Sequence, residues 1–181
     1  MYAGHFGAAL AGAGAARRTS LWLLIVAAFS ADIVEGLLAA FNVNDPTRVW
    51  SHSLPATAIA GLVLAIVVRA MGGSWRASGV VLLVSISHSA LDYVTAAKTY
   101  WPGVAPTGLR WYLHPRRDLV AEAAVGIAGW LVWRAALPRE RRWAGATWVA
   151  LAVLMATVAA GGLHLYRQDP RDLEGLSKFV R

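Results

Sequence analysis

The sequence predicts an all-α fold: a polytopic transmembrane helical bundle with five long spans plus a short N-terminal helix. Three observations predict it. Hydrophobic residues fill 57% of the 181 positions and the mean hydropathy is +0.50, which leaves too little polar surface for a soluble domain of this size. Charged residues make up only 15% and cluster between long apolar runs. Five of those runs are long enough to cross a bilayer, which takes ~20 residues at helical rise.

The chain opens with an Ala/Gly-rich segment, residues 3–16, which as a helix would reach only ~20 Å. It is expected to form a short helix or a half-inserted one, and its small side chains permit close helix contact. Arg17 and Arg18 follow this segment instead of preceding it, the reverse of the signal-peptide order, so it is expected to stay in the mature protein. The long runs cover about 21–43, 54–71, 78–97, 119–137 and 144–166. Connections such as "AMGGSWRAS" and "LPRERRWAG" are short. The longest, residues 98–118, carries Pro102, Gly103, Pro106 and Gly108 and reads as loop. Residues 167–181 form a polar tail. No internal repeat or second domain is visible, so residues 1–181 read as a single integral-membrane domain.

Basic residues orient such a bundle. On the five-span reading, Arg17, Arg18, Arg69, Arg76, Arg134, Arg139, Arg141 and Arg142 share one side, expected to face the cytoplasm of a bacterium across its inner membrane. The loops of the other side carry Arg48, Lys98, Arg110, Arg116 and Arg117, with Asp45 and Asp118 among them. The net charge of +7 is accounted for by these loops meeting anionic headgroups, and no basic patch outside them suggests nucleic acid. The absence of cysteine excludes disulfides and thiolate metal sites. Tryptophans near the span ends, Trp22, Trp50, Trp75, Trp101, Trp111 and Trp143, read as interfacial anchors.

Ionisable groups inside apolar spans are costly, ~2.5–3.5 kcal/mol for a central Asp, and call for a reason. Asp32 lies mid-way along the first run with Glu35 one turn on, and His88 and Asp92 share a helix face of the third run by i, i+4 spacing. His52 precedes the second run and His5 opens the N-terminal segment. With His114, Asp118 and Glu122, all these groups fall between mid-membrane and the non-cytoplasmic side. That convergence predicts a site in the periplasmic half. One or two divalent ions held with neutral imidazoles would neutralise the carboxylates, and N/O ligands without sulfur suit zinc, manganese or iron. Structural roles compete: intramembrane His and Asp also staple helices, Glu35 suits an ion pair with a loop arginine, His114 suits the surface and His164 the interface.

The order "GH", Asp in an apolar segment, "SHS", then "SHSALDYVT" resembles the bacterial inner-membrane proteins identified as metal-dependent hydrolases. The resemblance covers roughly the first hundred residues. It implies metal ligands at His5, Asp32, His52, His88 and Asp92. The same order is similar to the helical zinc-dependent phospholipase C enzymes, whose further His and Glu ligands are not reproduced by His114, Asp118 and Glu122. A one- or two-metal site is therefore expected in place of a three-metal centre. The resulting expectation is a membrane-embedded hydrolase of a lipid or lipid-linked (phospho)ester using a metal-activated water, with Glu122 or Glu35 as general base. Two rivals use the same residues: an accessory subunit with partners in a membrane complex, and a small ion or solute transporter.

Overall fold

The computed structural model describes residues 2–43, 45 and 48–167, with side chains described through residue 161. The polar tail beyond residue 167 and the side chain of His164 lie outside the described residues. Among these residues the fold is all-helical: α1 (Tyr2–Ala15), α2 (Leu21–Ala28), α3 (Ser30–Ala40), α4 (Val49–His52), α5 (Leu54–Ala70), α6 (Trp75–Thr95), α7 (Pro115–Ala136) and α8 (Gly145–Arg167). Short 3-10 turns at Trp111–Leu113 and Arg139–Arg141 join the last elements.

The expectation of five long spans is corrected. Among the described residues two helices, α6 and α7, are long and apolar enough to cross a membrane, or three if α2 and α3 together count as one broken span. The run 21–43 is not continuous: it bends by 63° at Phe29. The bend turns Ser30 toward α6, where its Oγ lies 2.6 Å from Ser85 Oγ. It also places Asp32 in the first turn of α3, where backbone N–H groups and the helix dipole favour a carboxylate. The run 54–71 forms a helix of 17 residues, ~25 Å at helical rise against a ~30 Å hydrocarbon core. In α8, of 23 residues, the apolar stretch with described side chains is Gly145–Gly161. Hydropathy marked the run 54–71 as apolar, but its helix is too short.

The short α1 lies inside the bundle, with Ala3 and Ala9 fully buried and Leu10 and Ala13 nearly so. It packs most extensively on α7 and also touches α2, α6 and α8. One core joins Ala9, Ala13, Leu24, Ala27, Val68, Val81 and Val84, and a second joins Ala3, Leu10, Trp130, Leu154 and Val158. Between α1 and α7 the backbones approach so closely that only glycine fits. A Cβ at Gly7 would lie 2.6 Å from the Val125 carbonyl oxygen and 2.8 Å from Gly126 Cα, and Gly129 faces the Gly7 backbone in return. A Gly7→Val variant is therefore expected to push α1 off α7, lowering stability by at least ~1–3 kcal/mol, as overpacking does. Thermal unfolding in detergent checks this.

The two ends of the bundle differ in kind. Residues 14–19 meet Met71–Ala77, and Gly14 packs against the backbone of Trp133, so Arg17, Arg18, Arg76 and Arg134 gather at one end. The polar residues of α6, Ser85, His88, Ser89, Asp92 and Thr95, form one buried face running toward the opposite end. That face is stapled to α5, where Thr57 Oγ1 lies 2.9 Å from Ser89 Oγ and Ser85 Oγ donates to the Thr57 carbonyl. The outward faces are apolar: Ile59, Leu62, Val63, Ile66, Leu83, Val120, Leu131, Val149 and Val153 are all exposed, as are Trp22, Trp50, Trp75, Trp101 and Trp143.

Candidate metal centre

Five side chains from four helices converge on the polar end of α6. The i, i+4 spacing of His88 and Asp92 places both on its buried face, with His88 Nε2 3.3 Å from Asp92 Oδ2. His5 arrives from α1: its Nε2 lies 3.4 Å from Asp92 Oδ1, and its ring stacks on that of His88 with centroids 4.0 Å apart. The α2–α3 bend brings Asp32, and the end of α4 brings His52. His52 Nε2 lies 3.3 Å from Asp32 Oδ1 and 3.8 Å from Asp92 Oδ2. His5, His52, His88 and Asp92 are almost fully buried, while the Asp32 side chain is 39% exposed and marks the open edge.

The "SHS" segment has a local logic. Ser53 caps α5, its Oγ accepting the Ala56 N–H. Ser51 Oγ donates its proton to the Arg48 carbonyl and lies 2.8 Å from His52 Nδ1, so the hydroxyl oxygen is left to accept from an Nδ1–H. Glu35 Oε2, 3.6 Å from the same nitrogen, favours that tautomer too. The His52 Nε2 lone pair then faces the carboxylates of Asp32 and Asp92. Burial holds the His52 imidazole below its usual pKa, which favours the neutral, ligating form.

The orientation of His88 is set by a backbone contact. Its Nδ1 is 2.8 Å from the Ala28 carbonyl oxygen, which can only accept, so this nitrogen carries a proton. In the neutral ring Nε2 is then a bare lone pair. That atom is buried without a hydrogen-bond partner and points at a carboxylate oxygen 3.3 Å away. Lone pair against carboxylate in a buried site is unfavourable unless a cation or a second ring proton lies between them. The backbone carbonyl behind the ring is the usual device that orients a ligating imidazole. Two overlapping groups, His5–His88–Asp92 and Asp32–His52–His88, each offer donor atoms within 4.8 Å of one another and could hold a metal ion. No family model, curated protein or solved structure matches this chain. The reading of the site therefore rests on its geometry.

The remaining sequence candidates lie around this cluster or apart from it. Glu35 is at its rim, with Oε1 3.1 Å from Arg48 Nε. Glu122 Oε2 accepts the Ala3 N–H at 2.7 Å and belongs to neither group. Asp118 is buried in the first turn of α7, and His114 is exposed. Sequence reasoning missed Ser51 and Lys98. In the sequence Lys98 reads as a loop charge, yet its Nζ contacts Asp92 Oδ2 and its side chain is only 13% exposed. It lies on a strap held by paired backbone bonds between Lys98 and Thr107 and by Leu54 N–H to the Tyr100 carbonyl. Burial, with the nearby Asp92 charge adding to it, raises the Tyr100 pKa, so that side chain remains a phenol.

Proposed function

We propose that the chain is a membrane-embedded, metal-dependent hydrolase acting on a lipid or lipid-linked ester. The observation that carries the reading is the buried, unpartnered His88 Nε2 facing Asp92, with His5, His52 and Asp32 completing a set of nitrogen and oxygen donors. Such donors without sulfur suit zinc, with manganese or iron as the alternatives. A divalent ion held by His5, His52, His88, Asp32 and Asp92 would supply Lewis acidity and an activated water near neutral pH. Ser51 and the Ala28 carbonyl hold the two imidazoles in their ligating tautomer. Asp32 and Glu35 line the exposed edge, and in this reading Glu35 acts as general base. The apolar outer faces of α5, α6 and α7 fit a bilayer, and the centre lies at the end opposite the arginine turns. With those turns in the cytoplasm, the centre belongs to the periplasmic half of the inner membrane.

The test uses the full chain purified in mild detergent. About one equivalent of zinc is expected by elemental analysis, removable by chelator. Metal-dependent release of product from micelles of phosphatidylglycerol and phosphatidylethanolamine is expected alongside it. A protein that holds no metal and takes up none when offered zinc, manganese or iron sinks the reading and leaves the helix-staple or transport roles.

A further inference from the structure

Lys98 changes what the centre is able to bind. Both candidate ligand groups use His88, and its Nδ1 is committed to the Ala28 carbonyl, so a single Nε2 lone pair is available to both. Two ions cannot share it. A second ion would have to rely on Asp32, His52 and the Asp92 Oδ2 atom, and that oxygen already carries the Lys98 ammonium. Charge balance runs the same way. Arg48 offsets Glu35, and Lys98 offsets one of the two remaining carboxylates, Asp32 and Asp92. A second divalent ion would add two further positive charges to a mostly buried site that already holds the Lys98 ammonium.

The residue type fits this position. Among 17 basic residues only Lys98 and Lys178 are lysines; the rest are arginines. A guanidinium is a wide planar fork, whereas an ammonium is a compact point charge with three donors, close in size and charge to a small cation. The strap pairing Lys98 with Thr107 fixes the stem from outside the helices.

We infer that Lys98 is the second cation of the site: the centre takes one divalent ion, and the ammonium beside it binds an anionic oxygen of the substrate or product. The inference rests on the metal-centre reading and narrows the ligand to an oxyanion, such as phosphate or a phosphate ester. Asp92 occupies one of the three ammonium donors and leaves two for the ligand.

Zinc stoichiometry of the full chain, and inorganic phosphate binding to the zinc-loaded protein by calorimetry, test it in wild type, Lys98→Met and Lys98→Arg. Wild type is expected to hold one equivalent of zinc. Lys98→Met is expected to keep zinc but bind phosphate at least roughly tenfold more weakly, with Lys98→Arg between the two. Two zinc ions in wild type overturn the inference, as does phosphate affinity unchanged in Lys98→Met, and in both cases the metal centre stands. Equal weakening in Lys98→Met and Lys98→Arg overturns it as well, since loss of charge would then not be the cause. Wild type without zinc brings down the metal-centre reading and this inference together. Short-chain phosphatidate titrated alongside distinguishes a lipid headgroup from free phosphate: the tighter of the two is the ligand source.

Discussion

Replacing His88 by alanine is expected to strip the centre of metal, lowering zinc affinity by more than roughly the hundredfold that loss of a supporting partner alone produces. His88 belongs to both candidate ligand groups, so neither survives its removal. The substitution also leaves the Ala28 carbonyl without its 2.8 Å donor and opens space against the His5 ring. That adds an expected loss of ~1–3 kcal/mol in stability. Competition with a chromophoric chelator reads the affinity, and thermal unfolding in detergent reads the fold. His114→Ala serves as control, because that side chain is exposed and belongs to neither group. Zinc held by His88→Ala at near wild-type affinity would show that the convergence of these residues is structural.

Asp92→Ala is expected to be the most destabilising single change in the cluster. Asp92 meets His5 through one oxygen and His52, His88 and Lys98 through the other. Its loss leaves the Lys98 ammonium, 13% exposed, without its carboxylate, and removing one partner of a buried pair costs ~3–5 kcal/mol. The double variant Asp92→Ala/Lys98→Met removes the stranded charge and is expected to recover part of that loss. The mark of the mechanism is thus a double variant more stable than the Asp92→Ala single, read by denaturation in mixed micelles. If the two changes simply add, the ammonium is not dependent on Asp92 and its burial has another cause.

The i, i+4 placement of His88 and Asp92 was legible because it is a property of one helix, fixed by 3.6 residues per turn. His5, Asp32 and His52 stood out because ionisable groups in apolar surroundings are rare without a reason. The geometry places all five together. Glu122 was grouped with them by expected depth, but depth is one coordinate of three: it lies on α7 at the start of α1 and holds the Ala3 N–H. Lys98 was passed over because a lysine beyond a helix end looks like any loop charge. What turns it inward is a backbone pairing with Thr107, a contact that no local pattern announces.

The sequence by itself determined the helical class and the identity of the polar residues that apolar surroundings must accommodate. Hydropathy and helical periodicity are carried by neighbouring residues, and the chain needs no tertiary contact to express them. The tertiary structure decided how many runs are long enough to span, that α1 is an inner helix, and which atoms of the polar residues face one another. The bend at Phe29 accompanies the Ser30–Ser85 contact, the depth of α1 follows from glycine backbones meeting α7, and the His88 tautomer follows from the Ala28 carbonyl. Each of these depends on groups far apart in the chain, whose pairing becomes defined only once the helices have packed.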